Sequence, residues 1–295
     1  MTDQRGARLI VAGRTDTGRR RADNQDGFLI TELGTAATVV PGTDEGDTID
    51  FEAARGVALL VADGMGGRLG GARASALAVE TIADYLAKKG GDAARSTLPE
   101  SLHASLRAAN TAIHREAGED QTRTGMGTTA TLAGVLGDLV YVAQVGDSRA
   151  YLVRGGEVAR LTRDQSLVQD MVDSGLLEEA QAHTVPNNML LQALGVRGAV
   201  QPAVTSHALR RDDVLVLCSD GLSQVVRDHE IAGVASPDSL PRDVCERLVN
   251  LANQRGGPDN ITVVVARADG SGFPTAEPEE SLGAEPWTRR DSQHS

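Results

Sequence analysis

An α+β sandwich of antiparallel sheets is the fold class that the sequence predicts. Three observations carry it. Short apolar runs at residues 128–136, 139–145, 150–153 and 158–161 follow one another at hairpin spacing, with Gly137-Asp138 and Gly155-Gly156 as turns. Two amphipathic helical patterns stand between the first strands and this series. The order of strands, two helices, many strands, helices and a last strand excludes a doubly wound parallel sheet.

The stretch that organises the chain is Val57-Ala58-Leu59-Leu60-Val61-Ala62-Asp63-Gly64-Met65-Gly66-Gly67. The apolar run reads as a buried strand. It ends in an aspartate that runs straight into glycines. Those glycines allow a tight turn and a close approach to the backbone. A carboxylate held there, beside backbone carbonyls, suits a hard cation such as Mg²⁺ or Mn²⁺.

Taken in order, residues 8–13 read as a first strand. A polar loop follows, with Arg19, Arg20 and Arg21 in a row, which from charge alone is a solvated face. Phe28-Leu29-Ile30 is a second apolar run. Residues 34–55 are expected as a long loop without chemistry. Leu69, Ala72, Ala76, Val79, Ala83 and Leu86 keep helical spacing until Gly90-Gly91. Leu102, Leu106, Ala109 and Ile113 mark a second helix from about Pro99 to Ala117. After the hairpins, residues 164–182 turn helical, and 183–202 read as loop. Residues 214–218 form a strand ending at Ser219-Asp220-Gly221. Residues 241–254 form a helix with Pro241 at its start, and 261–266 a last buried strand. From Asp269 onward the Gly-, Pro-, Ser- and Glu-rich composition predicts a disordered tail.

Composition narrows the function classes. Hydrophobic residues make up 40% and charged ones 24% of the 295 residues, as in an ordinary soluble domain. Aromatics are only 2%, so the core must be built from Ala, Val, Leu and Ile. A net charge of -12 argues against nucleic-acid binding. No apolar run reaches the roughly 18 residues of a membrane span. Cys218 and Cys245 read as reduced structural thiols. A cytoplasmic monomer is expected.

Acids recur at strand ends. Asp63-Gly64 and Asp220-Gly221 end two apolar runs, Gly146-Asp147 ends a third, and Asp259-Asn260 precedes the last. One such aspartate is ordinary turn chemistry. Four at the mouths of buried strands would repel one another if the strands share sheets, and would need cations. Two divalent ions about 3.5–4 Å apart clamp an in-line phosphoryl displacement. From the pattern alone, turns and a metal cluster both remain open. The six histidines lack metal-ligand spacing, and no Ser-His-Asp or Cys-His arrangement stands out. Gly125-Met126-Gly127-Thr128-Thr129 lacks the lysine of a P-loop and reads as a tight turn into a strand.

Six stretches carry a resemblance when taken together. They are Arg21-Ala22-Asp23-Asn24-Gln25-Asp26, Val61-Ala62-Asp63-Gly64-Met65-Gly66-Gly67, Gly125-Met126-Gly127-Thr128-Thr129, Val145-Gly146-Asp147-Ser148-Arg149, Cys218-Ser219-Asp220-Gly221-Leu222 and Gly257-Pro258-Asp259-Asn260-Ile261-Thr262. In this order they resemble the metal-dependent type 2C (PPM) serine/threonine protein phosphatases in their bacterial form. The resemblance implies an α-β-β-α sandwich with a metal cleft at one end, a catalytic domain over residues 1–268 and a tail over 269–295. It implies two Mn²⁺ or Mg²⁺ ions bridged by Asp63, with the Gly64 carbonyl helping. Asp220 and Asp259 would complete the first metal's shell, and Asp26 would reach the second. Asp147, with Asp220, would hold a third, weaker ion. Arg21 would pin the phosphate, so the solvated-face reading stays with Arg19 and Arg20. A metal-bridging water would attack phosphorus directly, without a phosphoenzyme. Substrates would be phosphoproteins made by a Ser/Thr kinase in bacterial signalling.

Two departures stand out. Some relatives, chiefly eukaryotic, have a histidine, a candidate general acid, where this chain has Met65. Some bacterial relatives place a serine near the third metal where this chain has Asn188. Two alternatives accompany the leading reading. One is a pseudophosphatase that binds phosphoproteins without turnover, although no metal carboxylate is missing. The other is a hydrolase of small phosphate esters.

Overall fold

The computed structural model describes residues 6–35, 48–89, 97–178, 181, 185, 189–277, 280, 282–283 and 285–287. Two antiparallel sheets pack face to face, with helices on both outer faces. The first sheet is built from β1 (Arg8–Asp16), β3 (Ile49–Glu52), β8 (Arg149–Arg154), β9 (Glu157–Arg160), β11 (Val214–Cys218) and β12 (Ile261–Asp269), in the order β3-β1-β12-β11-β8-β9. The second holds β2 (Asp26–Glu32), β4 (Val57–Met65), β6 (Ala130–Leu136), β7 (Leu139–Val145), β10 (Ala203–Ala208) and β13 (Glu285–Pro286), in the order β13-β10-β7-β6-β4-β2. A short β5 (Gly127–Thr128) pairs with the end of β4.

The period of two in a strand assigns each side chain a layer. On β4, Leu59 and Val61 enter the layer between the sheets with Phe28, Ile30, Leu217 and Val264. Ala58 and Leu60 face outward onto α1 (Gly67–Lys89) and α2 (Leu98–Glu119), meeting Ala78, Ile82, Leu102 and Leu106. On the far side, α6 (Pro241–Gln254) lays Val244, Leu248 and Val249 on Val216 and Val265. Both faces of the central strands are therefore covered. That explains why they read as continuous apolar runs rather than alternating ones. Cys218 and Cys245 are buried free thiols, each pushed up to about 12 by burial. No helix among the described residues is long and apolar enough to cross a membrane.

Several elements depart from the sequence reading. Within the expected 34–55 loop, β3 adds to the edge of β1, and Ile49 and Phe51 pack onto the inter-sheet core. Ile49-Asp50-Phe51-Glu52 alternates apolar and polar residues, a short strand signal within the expected loop. Of the helix expected over 164–182, the described residues form α3 (Leu167–Asp173), which gives way to Gly175 in the left-handed region at φ 70°. Two short helices, α4 (Asp220–Ser223) and α5 (Asp228–Val234), and the strand β10 carry no strong sequence signal. Asn188 lies outside the described residues.

The largest correction concerns the tail. The sequence reading makes 269–295 disordered, but its described part is anchored at several points. Phe273 is 1% exposed and sits between the sheets. Glu280 pairs with Arg210, β13 extends the second sheet beyond β10, and Trp287 leans on the helix-covered core. Single anchors in a Pro- and Glu-rich segment leave no periodic trace, because the surface they dock on belongs to distant residues.

Truncation of this anchor gives a direct check. Phe273→Ala should cost about 3–5 kcal/mol in denaturant unfolding, as for other fully buried aromatics. Unchanged stability would place Phe273 outside the core.

Candidate metal centre at the mouth of the sandwich

Strand pairing brings the acids together. Asp26 opens β2 and lies opposite Asp63 on β4 in the antiparallel register. Asp220 follows β11 and Asp259 precedes β12, and those two strands are also neighbours. Asp147 follows β7. Arg21, Asp63, Gly64, Asp147, Asp220 and Asp259 line one cleft of about 1510 Å³, with Asp26 buried in its floor. Arg21 and the expected metal ligands are thus at one place. Arg19 and Arg20 are exposed.

Hydroxyl and amide groups fix these carboxylates. Ser219 Oγ and Thr262 Oγ1 both donate to Asp26 Oδ2, at 2.8 and 2.7 Å. The Asp63 amide donates to Thr129 Oγ1 at 3.0 Å, and its carbonyl accepts from the Thr129 amide and Thr128 Oγ1. The Gly125–Thr129 stretch is therefore a turn into a strand, as expected, and also a brace for Asp63. Asn260 accepts from the Gln25 amide and donates to the carbonyls of Thr17 and Asp23. It clamps the loop that carries Arg21. Gly64 admits no side chain, since a Cβ would lie 2.2 Å from the Gly71 carbonyl oxygen.

The sequence reading did not single out Ser219, Thr262 or Asn260 as braces. All three sit beside the strand-end acids. A hydroxyl or amide one to three residues from such an acid was the available signal.

Burial charges the cluster with electrostatic cost. It pushes Asp26 up to about 7 and Asp147 up to about 8, with the Asp220 charge adding to both. Asp63 is raised well above the carboxylate range by burial, then by Asp26 and Asp220. Asp220 is raised by burial as well. One oxygen of Asp26 and one of Asp220 are buried without any hydrogen-bond partner. Buried acceptors are rarely left so, and these are hard oxygen donors. The donor set fits Mn²⁺ or Mg²⁺.

The cluster is an open arrangement. Among the described residues, no three Asp, Glu, His or Cys side chains close into a ready-made metal cage. Two of its carboxylates are engaged by other side chains. Arg21 grips both oxygens of Asp259, at 2.7 and 2.6 Å. Gln224 donates to Asp220 Oδ2 at 2.5 Å. The arginine expected to hold phosphate therefore engages one of the expected metal ligands.

Comparison with known proteins agrees with this geometry. The family model for protein phosphatase 2C matches residues 38–265. The serine/threonine protein phosphatase PstP of Mycobacterium tuberculosis is 35% identical over 259 residues, covering 88% of this chain and 45% of PstP. This chain thus spans less than half of that relative's length. The S. agalactiae serine/threonine phosphatase superposes with a TM-score of 0.78 at 33% identity, over 88% of this chain and 100% of that one. The PstP catalytic domain, solved in complex with two manganese ions, gives 0.72 at 32% identity over 89% and 100%. With the α-β-β-α architecture and the family match in agreement, the chain belongs to the protein phosphatase 2C family.

Proposed function

We infer that the protein is a metal-dependent protein-serine/threonine phosphatase. The observation that carries this reading is the gathering of Asp26, Asp63, Asp147, Asp220 and Asp259 at one mouth of the sandwich, beside Arg21. Asp63 and the Gly64 carbonyl are assigned to the position shared by two Mn²⁺ or Mg²⁺ ions. Asp220 and Asp259 serve the first ion, Asp26 the second, and Asp147 with Asp220 a third. The manganese pair of the PstP catalytic domain supports the same ions here. When bound, such ions supply an activated water for in-line attack and positive charge for the phosphoryl oxygens.

The chain's own groups do the rest. Ser219 and Thr262 aim the free oxygen of Asp26. Arg21, on leaving Asp259, presents a planar fork that matches two phosphate oxygens. Met65 lines the cleft and has no proton to donate, so it cannot act as a general acid for the leaving oxygen. The cleft exceeds the roughly 300–1,000 Å³ typical of small-ligand sites, which favours a polypeptide over a small ester. No carboxylate of the set is replaced, so nothing favours a binding-only role. The same reading sets the enzyme against a Ser/Thr kinase in bacterial signalling in the cytoplasm.

Two outcomes follow for activity. Asp220→Asn should lose about a hundredfold or more in phosphate release from a phosphothreonine peptide with Mn²⁺, since metal ligands matter at least as much as their supporting groups. Arg21→Ala should lower kcat/KM by about 10- to 100-fold while Mn²⁺ binding, followed by calorimetry, persists. Parental activity in the Asp220 variant would sink the assignment.

The raised carboxylates set a pH dependence. A carboxylate raised in the folded state holds its proton more tightly there than in the unfolded chain. Its stabilising contribution is present at low pH and lost as pH rises through about 7 for Asp26 and about 8 for Asp147. Metal ions compete with those protons. The apparent Mn²⁺ affinity should therefore rise by about tenfold from pH 6 to pH 8 through Asp26 alone. Thermal unfolding should show a larger Mn²⁺-induced gain in Tm at pH 8 than at pH 6. An equal gain at both would contradict the coupling.

A further inference from the structure

Beside the acidic cleft lies a second, smaller hollow of about 120 Å³. Met65, Leu190, Leu191, Ala193, Val196 and Val200 give it an apolar lining, with Gln192 and Arg197 at its polar side, and Met65 and Leu190 also line the cleft. Its size is far below the roughly 300 Å³ of a small-ligand site and suits one side chain. We propose that it receives an apolar side chain of the phosphoprotein substrate, two residues from the phosphorylated one. This rests on the phosphatase reading above.

Three observations support the assignment. The first is rigidity. The Thr128 amide donates to the Leu194 carbonyl at 3.1 Å, and the Leu194 amide returns the bond at 2.8 Å. Asn110 on α2 accepts from the Gly195 amide and donates to the Arg197 carbonyl. The wall is therefore bolted to the β5 turn that braces Asp63, and the pocket is preformed. A preformed pocket spares the ordering cost of binding.

The second is exposed apolar surface. Met189 is 63%, Leu191 41% and Val196 46% exposed. With Leu167, whose amide donates to the Met189 carbonyl, they are four of the six large apolar side chains exposed among the described residues. Leu191 and Val196 line the hollow itself, and exposed apolar side chains beside a polar cleft are a contact-site signal. It is continuous with the cleft through shared walls.

The third is reach. Met65 lies two residues along β4 from Asp63, about 7 Å at a strand's rise. An extended peptide covers that distance in two residues. Its side chains at the phosphoresidue and two positions away point to the same side. One then enters the cleft and the other the hollow.

The test is a set of phosphothreonine peptides carrying Leu, Ala or Asp at positions -2, -1, +1 and +2, assayed with the parent and Val196→Lys in Mn²⁺. The expected result is at least about a tenfold preference in kcat/KM for Leu over Asp at one of the ±2 positions, expressed in KM. In Val196→Lys that ratio should fall by about tenfold while ratios at ±1 stay put. Val196 is exposed, so this change should leave folding intact. Brisk phosphate release with a flat series overturns the pocket and leaves the phosphatase reading standing. No release from the Ala peptide by the parent overturns both. A flat series with a concentration-dependent dimer that Val196→Lys abolishes would give the surface to a second copy and likewise overturn the proposal.

Discussion

The fold is organised around a group of like charges that it forces into one buried place. Antiparallel pairing of β2 with β4 sets Asp26 opposite Asp63, and the neighbouring β11 and β12 bring Asp220 and Asp259 to the same end. Burying carboxylates without counter-charge is unfavourable, and the raised proton affinities of Asp26, Asp63, Asp147 and Asp220 express it. The three apolar layers of the sandwich hold the strands rigid against that repulsion. A divalent cation pair held by these acids would offset it, and would supply positive charge for a phosphoryl group. Stability and chemistry thus share one origin.

Arg21 connects the two sides of that arrangement. Its ion pair with Asp259 satisfies a guanidinium and a carboxylate that would otherwise need water, metal or phosphate. The pair is partly exposed, so it is worth little in stability and is free to exchange partners. Asn260 ties the Arg21 loop to the start of β12, so the arginine stays within reach of the cluster whichever partner it takes.

Much of this was legible in the sequence for physical reasons. The strand ending at Asp63 is covered on both faces, so it wrote a continuous apolar run. The helices over it are amphipathic and wrote a helical period, with Leu102, Leu106, Ala109 and Ile113 buried as expected. Asp63, Asp147, Asp220 and Asp259 were visible because each stands where an apolar run begins or ends, whereas Asp26 followed only from the family resemblance. Their convergence followed only from the family resemblance, since register between β2 and β4 is a tertiary fact that no single stretch displays. The Arg21–Asp259 contact was hidden for the same reason, the two residues being 238 positions apart. The tail was misread because Phe273 and Trp287 are isolated anchors whose docking surface lies elsewhere in the chain.

The central claim is that the buried acids are a divalent-cation site built around Asp63. Anomalous diffraction from crystals grown with Mn²⁺ tests it most directly. The account predicts two manganese peaks about 3.5–4 Å apart, both within bonding distance of Asp63, with Asp259 released from Arg21. Manganese absent from the cleft, with Arg21 still gripping Asp259, would contradict it.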